Sequence, residues 1–148
     1  MSIYLSDVSA DIAAGIVAAI PEIQFTVELE QMEIINFADV AGQMPFAVYQ
    51  FSRATRAENS PTACRYYNTD LTVTIVADAN NNPDVTRPYM ERLRDWMDQV
   101  GFDLAQVLSV PELDQSETAG ANRMFIQKGY SQRGGSVSAR LLFGDGPL

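Results

Sequence analysis

The first apolar pattern along the chain predicts a helix over residues 7–20. Branched apolar side chains recur every four positions, at Val8, Ile12, Ile16 and Ile20. This spacing places them on one face of a helix. The small residues Ala13, Ala14 and Gly15 suit close packing against a sheet, and Pro21 prevents the helix from continuing.

Three later segments show the apolar patterns of β-strands. Residues 24–31 alternate apolar and polar positions, which is typical of a strand with one face exposed to water. Residues 46–52 are apolar on both faces, which indicates a central strand covered on both sides or by a partner subunit. Residues 70–78 alternate most clearly, whereas residues 32–44 fit either a strand or a loop.

A second helix is predicted between an Asn- and Pro-rich turn and Gly101. It begins between Pro83 and Thr86, and Gly101 favours its end because glycine readily adopts the backbone conformation of a C-terminal cap. Tyr89 and Trp96 are expected to anchor this helix in the core. Its whole apolar stripe is Val85, Tyr89, Leu93, Trp96, Met97 and Val100.

The pattern weakens after the second helix and recovers near the end of the chain. Residues 104–110 fit a short strand or a helical turn, and residues 112–122 look like an acidic surface loop. Residues 123–132 and 136–143 then alternate around Gly134-Gly135. This arrangement predicts a terminal hairpin whose turn lies at the two glycines.

The elements together predict one α+β domain over residues 1–148. Its sheet is expected to be mixed, mostly antiparallel and about five strands wide, with two helices behind it. A chain of 148 residues, 47% of them hydrophobic, is long enough to form a single core. We see neither the pattern of a signal peptide nor an apolar run of membrane-spanning length, so we expect no membrane contact and folding in a cytoplasm.

Charge and residue usage disfavour several functions. A net charge of −9, from 19 acidic and 10 basic residues, argues against nucleic-acid binding through a basic surface. The chain has no histidine, which removes the commonest general base and the commonest transition-metal ligand. Cys64 is the only cysteine, so an internal disulfide and a paired-cysteine zinc site are excluded, and no histidine activates this thiol.

Two oxygen-rich segments are the best candidates for a metal or paired-acid site. Alternate positions carry oxygen ligands at Asp78, Asn80, Asn82 and Asp84. Pro83 and Tyr89 occupy the positions where a calcium loop needs Gly and Glu, so a strand-to-helix turn is favoured. Glu28 and Glu30 share a strand face, with Glu33 nearby, and a solvated sheet face explains them. We therefore predict no enzyme activity, no catalytic residue, no cofactor and no metal ligand.

The loop over residues 53–65 is too long for a tight hairpin and carries three of the ten basic residues. The pair Tyr66-Tyr67 points to opposite faces of the strand that follows, so one of the two is partly exposed. Together with the strand over residues 46–51, these features favour contacts between subunits. The expected contact residues are Arg53, Arg56, Arg65, Tyr49, Phe51 and Tyr66.

Read in order, these segments resemble the tail-completion (tail-terminator) proteins of long-tailed bacteriophages. The shared features are an Ala-rich opening helix (10–20), a Pro-aromatic-x-Val-Tyr strand (45–50), a strand (71–78) that runs into an amphipathic helix (85–100), and a last strand close to the end (137–143). The resemblance covers most of the chain, and residues 102–122 have no counterpart in it.

The resemblance implies a structural virion protein in the tail or neck, assembled in the host cytoplasm. It implies a homo-oligomer, a hexameric ring, that caps the tail tube protein, joins it to the neck or connector protein and lets DNA pass passively through its pore. An acidic subunit suits such a conduit because phosphates are not attracted to its wall. Two alternatives remain: another neck, head-completion or tail-tube-like ring protein, and a small carboxylate-based enzyme or calcium-binding domain.

Overall fold

The computed structural model describes residues 4–28, 45–57, 65–77, 86–109, 111–114 and 133–144. These residues contain two helices, α1 (Leu5–Ala19) and α2 (Arg87–Gln99). They also contain one mixed sheet of seven strands. The strands are β1 (Thr26–Glu28), β2 (Phe46–Phe51), β3 (Thr55–Arg56), β4 (Tyr66–Ala77), β5 (Gln106–Val107), β6 (Glu112–Asp114) and β7 (Arg133–Gly144). The predicted α+β class is confirmed.

The long antiparallel ladder between β4 and β7 forms the middle of the sheet. The strand order is β1-β2-β4-β7-β5, with β3 paired to β4 and β6 paired to β7. Only β1 is parallel to its neighbour, β2, among the pairings of the described strands. β2 and β3 lie end to end along one side of β4, and β5 and β6 lie end to end along the outer side of β7. The seven strands therefore form a sheet that is five strands wide.

A one-residue bulge separates β2 from β3, because the register on β4 shifts by one residue between them. Ser52 lies in this bulge and keeps the ladder hydrogen-bonded. Its backbone N–H donates to the carbonyl of Asp70 at 2.9 Å, and its Oγ accepts from the N–H of Asp70 at 2.8 Å. The hydroxyl of Thr69 donates to the carbonyl of Ser52 at 2.8 Å. The backbone groups of Ser52 and Asp70 therefore keep hydrogen-bond partners at the bulge.

The predicted turn at Gly134-Gly135 is wrong, because both glycines lie inside β7. Gly134 pairs with Val76 and Gly135 with Ile75 in the long ladder. A Cβ on Gly135 would collide with the sulfur of Met90. The glycine serves close packing of α2 on the sheet rather than a turn. The strand predicted over residues 123–132 lies outside the described residues.

The core lies between the helices and one face of the sheet. α1 buries Val8, Ile12, Gly15 and Ile16, as the spacing predicts. α2 buries Met90, Leu93 and Met97, whereas Tyr89 and Trp96 lie at the edge of the core. Val100 is 71% exposed, so its predicted place in the stripe is wrong. α2 ends before this residue, and the chain turns at Gly101, whose φ is +78°.

Two predicted loops contain strands. Thr55–Arg56 forms β3 within the predicted loop 53–65, and β4 begins at Tyr66, before the predicted start at residue 70. Glu112–Asp114 forms β6 rather than a surface loop, since Leu113 packs against the core opposite Val137. Acidic neighbours on both sides of Leu113 concealed this strand in the sequence.

Candidate functional site

Most of the residues with candidate chemistry lie outside the described residues. This holds for the Asp78–Asp84 turn, and for Glu30, Glu33 and Cys64. Within the described residues, no group of three or more Cys, Asp or Glu side chains is arranged to hold a metal ion. Neither of the helices described in the structure is long and apolar enough to cross a membrane.

The three arginines of the predicted contact loop share one end of the sheet. Arg53 lies in the bulge, Arg56 lies in β3 opposite Tyr67, and Arg65 directly precedes β4. All three are exposed, and none forms an ion pair with a described residue. We call these three residues the basic corner. It concentrates positive charge on a chain whose net charge is −9.

The aromatic residues predicted to join this contact differ in exposure. Tyr66 is half-buried and opens β4 opposite Gly144, close to the basic corner. Phe51 is half-buried and packs edge-to-face on Tyr49 with ring centroids 5.9 Å apart. Tyr49 is only 6% exposed, and its hydroxyl lies 2.9 Å from Ser9 Oγ. The structure thus groups Tyr66 with the arginines and places Tyr49 in the core, while their role as contacts stays a prediction.

On the face of the sheet opposite the helices, β4, β6 and β7 carry hydroxyl and charged side chains beside the buried apolar residues Phe46, Val48 and Val76. Thr74 and Ser136 are buried with their hydroxyls 3.1 Å apart, and Thr72 and Ser138 follow at 3.4 Å. Beyond this ladder the face becomes open to solvent. We call this part the polar sheet face. It consists of the half-buried Thr72 and Ser138 and the exposed Asp70, Arg140, Glu112 and Asp114.

Charge on the polar sheet face is mainly negative. Arg140 is its only basic residue among the described positions, and its Nε lies 3.5 Å from the carboxylate of Asp70 directly across the ladder. Both side chains are more than half exposed, so this ion pair contributes little to stability. Glu112 and Asp114 are exposed on β6. The surface is open, hydroxyl-bearing and without excess positive charge among the described residues.

The two helices cross in opposite directions. Arg92 lies in the first half of α2. Its two terminal guanidinium nitrogens, Nη1 and Nη2, both donate to the carboxylate of Glu22, which lies beyond the end of α1. This hydrogen bond lowers the pKa of the Glu22 carboxyl below its ordinary value of 4.5. At the other end, the N–H of Leu104, beyond the end of α2, donates to the Asp11 carboxylate at 2.9 Å.

An open groove of about 220 Å³ runs along this crossing. Small residues of α1 form one wall, and the C-terminal end of α2 forms the other. We call it the helix groove, and it is lined by Asp11, Ala14, Gly15, Ala18, Trp96, Val100, Gly101, Phe102 and Asp103. Two of the small residues that were expected to pack on the sheet lie elsewhere. Gly15 contacts Phe102 and Trp96, and Ala14 is exposed.

The helix groove is the feature that sequence reasoning missed. Its signal was present in the small residues at Ala14 and Ala18, one helical turn apart. Its second wall depends on Val100, which the apolar stripe placed in the core and the structure exposes. The described residues thus offer three surfaces that are open to solvent: the basic corner, the polar sheet face and the helix groove. No protein-family model and no curated protein matches this chain.

Proposed function

We propose that this protein is a tail terminator, a structural subunit that forms a ring on the end of a phage tail tube and joins the tube to the neck. The basic corner carries the proposal. Three exposed guanidinium groups lie at one end of the sheet without a described partner, on a strongly acidic chain. A cluster of this kind favours a specific contact with an acidic surface.

The local fold favours a defined contact at this position. β3 holds Arg56 in a backbone ladder with β4, and the hydrogen bonds of Ser52 fix the bulge that contains Arg53. A side chain on a fixed strand loses less conformational freedom on binding than one on a free loop, because its backbone is already ordered. The basic corner is therefore prepared for docking.

The polar sheet face supports a role beside passing DNA. A pore wall must leave phosphates unbound, so exposed arginine and lysine are unfavourable there. This face offers the carboxylates of Asp70, Glu112 and Asp114, and its one guanidinium is already paired. We propose it as the surface that faces the channel in the ring.

The test is self-assembly and tail capping by a variant with Arg53, Arg56 and Arg65 all replaced by alanine. Substitution is preferable to loop deletion, because Thr55–Arg56 is a strand of the sheet. We expect the wild-type protein to form closed rings in negative stain and to cap tail tubes at normal length. The variant should keep its thermal stability and lose both properties.

A control variant removes one arginine elsewhere. Arg94→Ala deletes a partly exposed guanidinium on α2 that pairs with its neighbour Asp95, so rings should persist. Open-ended tubes from the wild-type protein would favour a tail-tube-like subunit instead. A compact monomer that calcium stabilises against heat would favour a calcium-binding domain and overturn the proposal.

A further inference from the structure

The helix groove leaves apolar side chains in contact with solvent. Val100 at its edge is 71% exposed, and Val17 on the neighbouring part of α1 is 45% exposed. Ala14 and Ala18, which line the groove, are exposed as well. A contiguous apolar surface with polar residues around it is typical of a protein contact.

The rim of the groove is acidic. Asp11 and Asp103 line it, and none of the described lining residues is basic. Asp7 lies one turn before Asp11 on the same side of α1 and extends the negative charge beyond the groove. The backbone N–H of Leu104 holds the Asp11 carboxylate in place. A partner that fits the helix groove must therefore carry side chains with an apolar stem and a positively charged end.

Arginine has this chemistry, since its methylene stem packs on apolar surface while its planar guanidinium binds a carboxylate with two hydrogen bonds. The basic corner supplies three such side chains. It lies on the β3 side of β4, whereas the groove is closed by residues 100–103, which lead to β5 at the opposite edge of the sheet. Among the described residues no ion pair joins the two surfaces within one subunit, so both are available to a neighbouring copy.

We infer that the helix groove of one copy receives the basic corner of a neighbouring copy. The contact joins two different surfaces, so an incomplete ring has a free helix groove at one end and a free basic corner at the other until it closes. This inference rests on the proposed ring and adds the surface that the arginines bind. The occupant of the groove is thus a second copy of this chain.

Charge reversal tests the pairing. Asp103→Arg and Arg56→Glu change exposed side chains on opposite sides of the contact, so each should leave thermal unfolding unchanged. In sedimentation velocity over a concentration series, each should weaken association by about tenfold or more. The double variant Asp103→Arg/Arg56→Glu restores opposite charges and should recover rings. Glu91→Arg, an equal charge change on the outer side of α2, should behave as the wild type.

The outcomes separate the inference from the proposed function. If wild-type rings form and Asp103→Arg forms them equally well, the groove is not the contact, although the ring stands. If both single variants fail and the double variant does not recover, these two residues do not pair. If the wild-type chain stays monomeric at every concentration and leaves tail tubes uncapped, both the groove contact and the proposed function are overturned.

Discussion

Gly15 of α1 lies directly against the ring of Phe102, the residue that follows the turn after α2. A Cβ at position 15 would lie 2.6 Å from the Phe102 ring and 2.8 Å from the Trp96 ring. The two rings pack edge-to-face with centroids 5.2 Å apart, and together they leave space for a hydrogen only. This contact sets how closely α1 and α2 cross, and so shapes the helix groove.

Gly15→Ala should lower the free energy of unfolding by about 1–3 kcal/mol, the usual effect of an overpacked core. The loss is expected even though alanine favours a helix by about 1 kcal/mol over glycine. Urea unfolding followed by circular dichroism measures the difference. Phe102→Leu in the Gly15→Ala background should recover part of it. If Gly15→Ala alone is at least as stable as the wild type, the rings of Phe102 and Trp96 can move aside to admit the added Cβ.

Tyr49→Phe should lower the free energy of unfolding by about 1 kcal/mol, because it removes the 2.9 Å hydrogen bond to Ser9 and keeps the ring. Ser9→Ala should have a similar effect, and the double variant should cost little more than either single change. Assembly of Tyr49→Phe into closed oligomeric rings would distinguish a role in the core from a role in subunit contact. Loss of rings with unchanged stability would make Tyr49 a contact residue after all.

Asn68→Val should raise the free energy of unfolding by about 1 kcal/mol. The Oδ1 atom of Asn68 is buried without a hydrogen-bond partner, and the residue lies between Thr55 and Leu142 in the sheet. Valine removes this unsatisfied oxygen and favours the extended strand. Thermal unfolding measures the gain, and Asn68→Asp, which adds a charge at the same place, should destabilise. A less stable Asn68→Val would mean that the amide has a role in the native state.

Glu22→Gln should change how stability depends on pH. The Arg92 hydrogen bond lowers the pKa of Glu22 in the folded state, so the pair stabilises the protein above the ordinary pKa of 4.5 and loses this effect as the pH falls through the lowered value. Melting temperatures of wild type and variant should therefore differ slightly at neutral pH and converge in acid. Glu91→Gln on α2 is the control. A constant difference at all pH values would contradict this ion pair.

Glu112→Lys should create DNA affinity in assembled rings. The change adds positive charge to the polar sheet face, which holds only one, paired, arginine among the described residues. Each new phosphate contact steepens the dependence of log affinity on log salt by about 0.9. Retention of linear duplex DNA at several salt concentrations measures this, with Glu91→Lys on α2 as the control. Equal gains in the two variants would place the polar sheet face away from the channel.

The spacing of apolar residues predicted those helices and strands in which each face has the same surroundings along the whole element. The buried face of α1 and the middle of β4 follow this rule, since apolar side chains at the repeating positions all face the core. At Gly134-Gly135 the spacing of apolar residues does not predict the structure. The same two glycines suit a tight turn or a strand beneath a helix, and only the position of Met90 above β7 distinguishes the two.

The sequence alone determined the class of fold and the net charge, because these follow from residue types in order along the chain. It also predicted a joint contact by the three arginines within residues 53–65, which the pairing of β3 with β4 then places at one end of the sheet. Tertiary structure decided that Tyr49 is buried, that β6 completes the edge of the sheet, and that α1 and α2 form a groove with an acidic rim. Each of these depends on residues far apart in the chain, whose approach is set by packing rather than by local pattern.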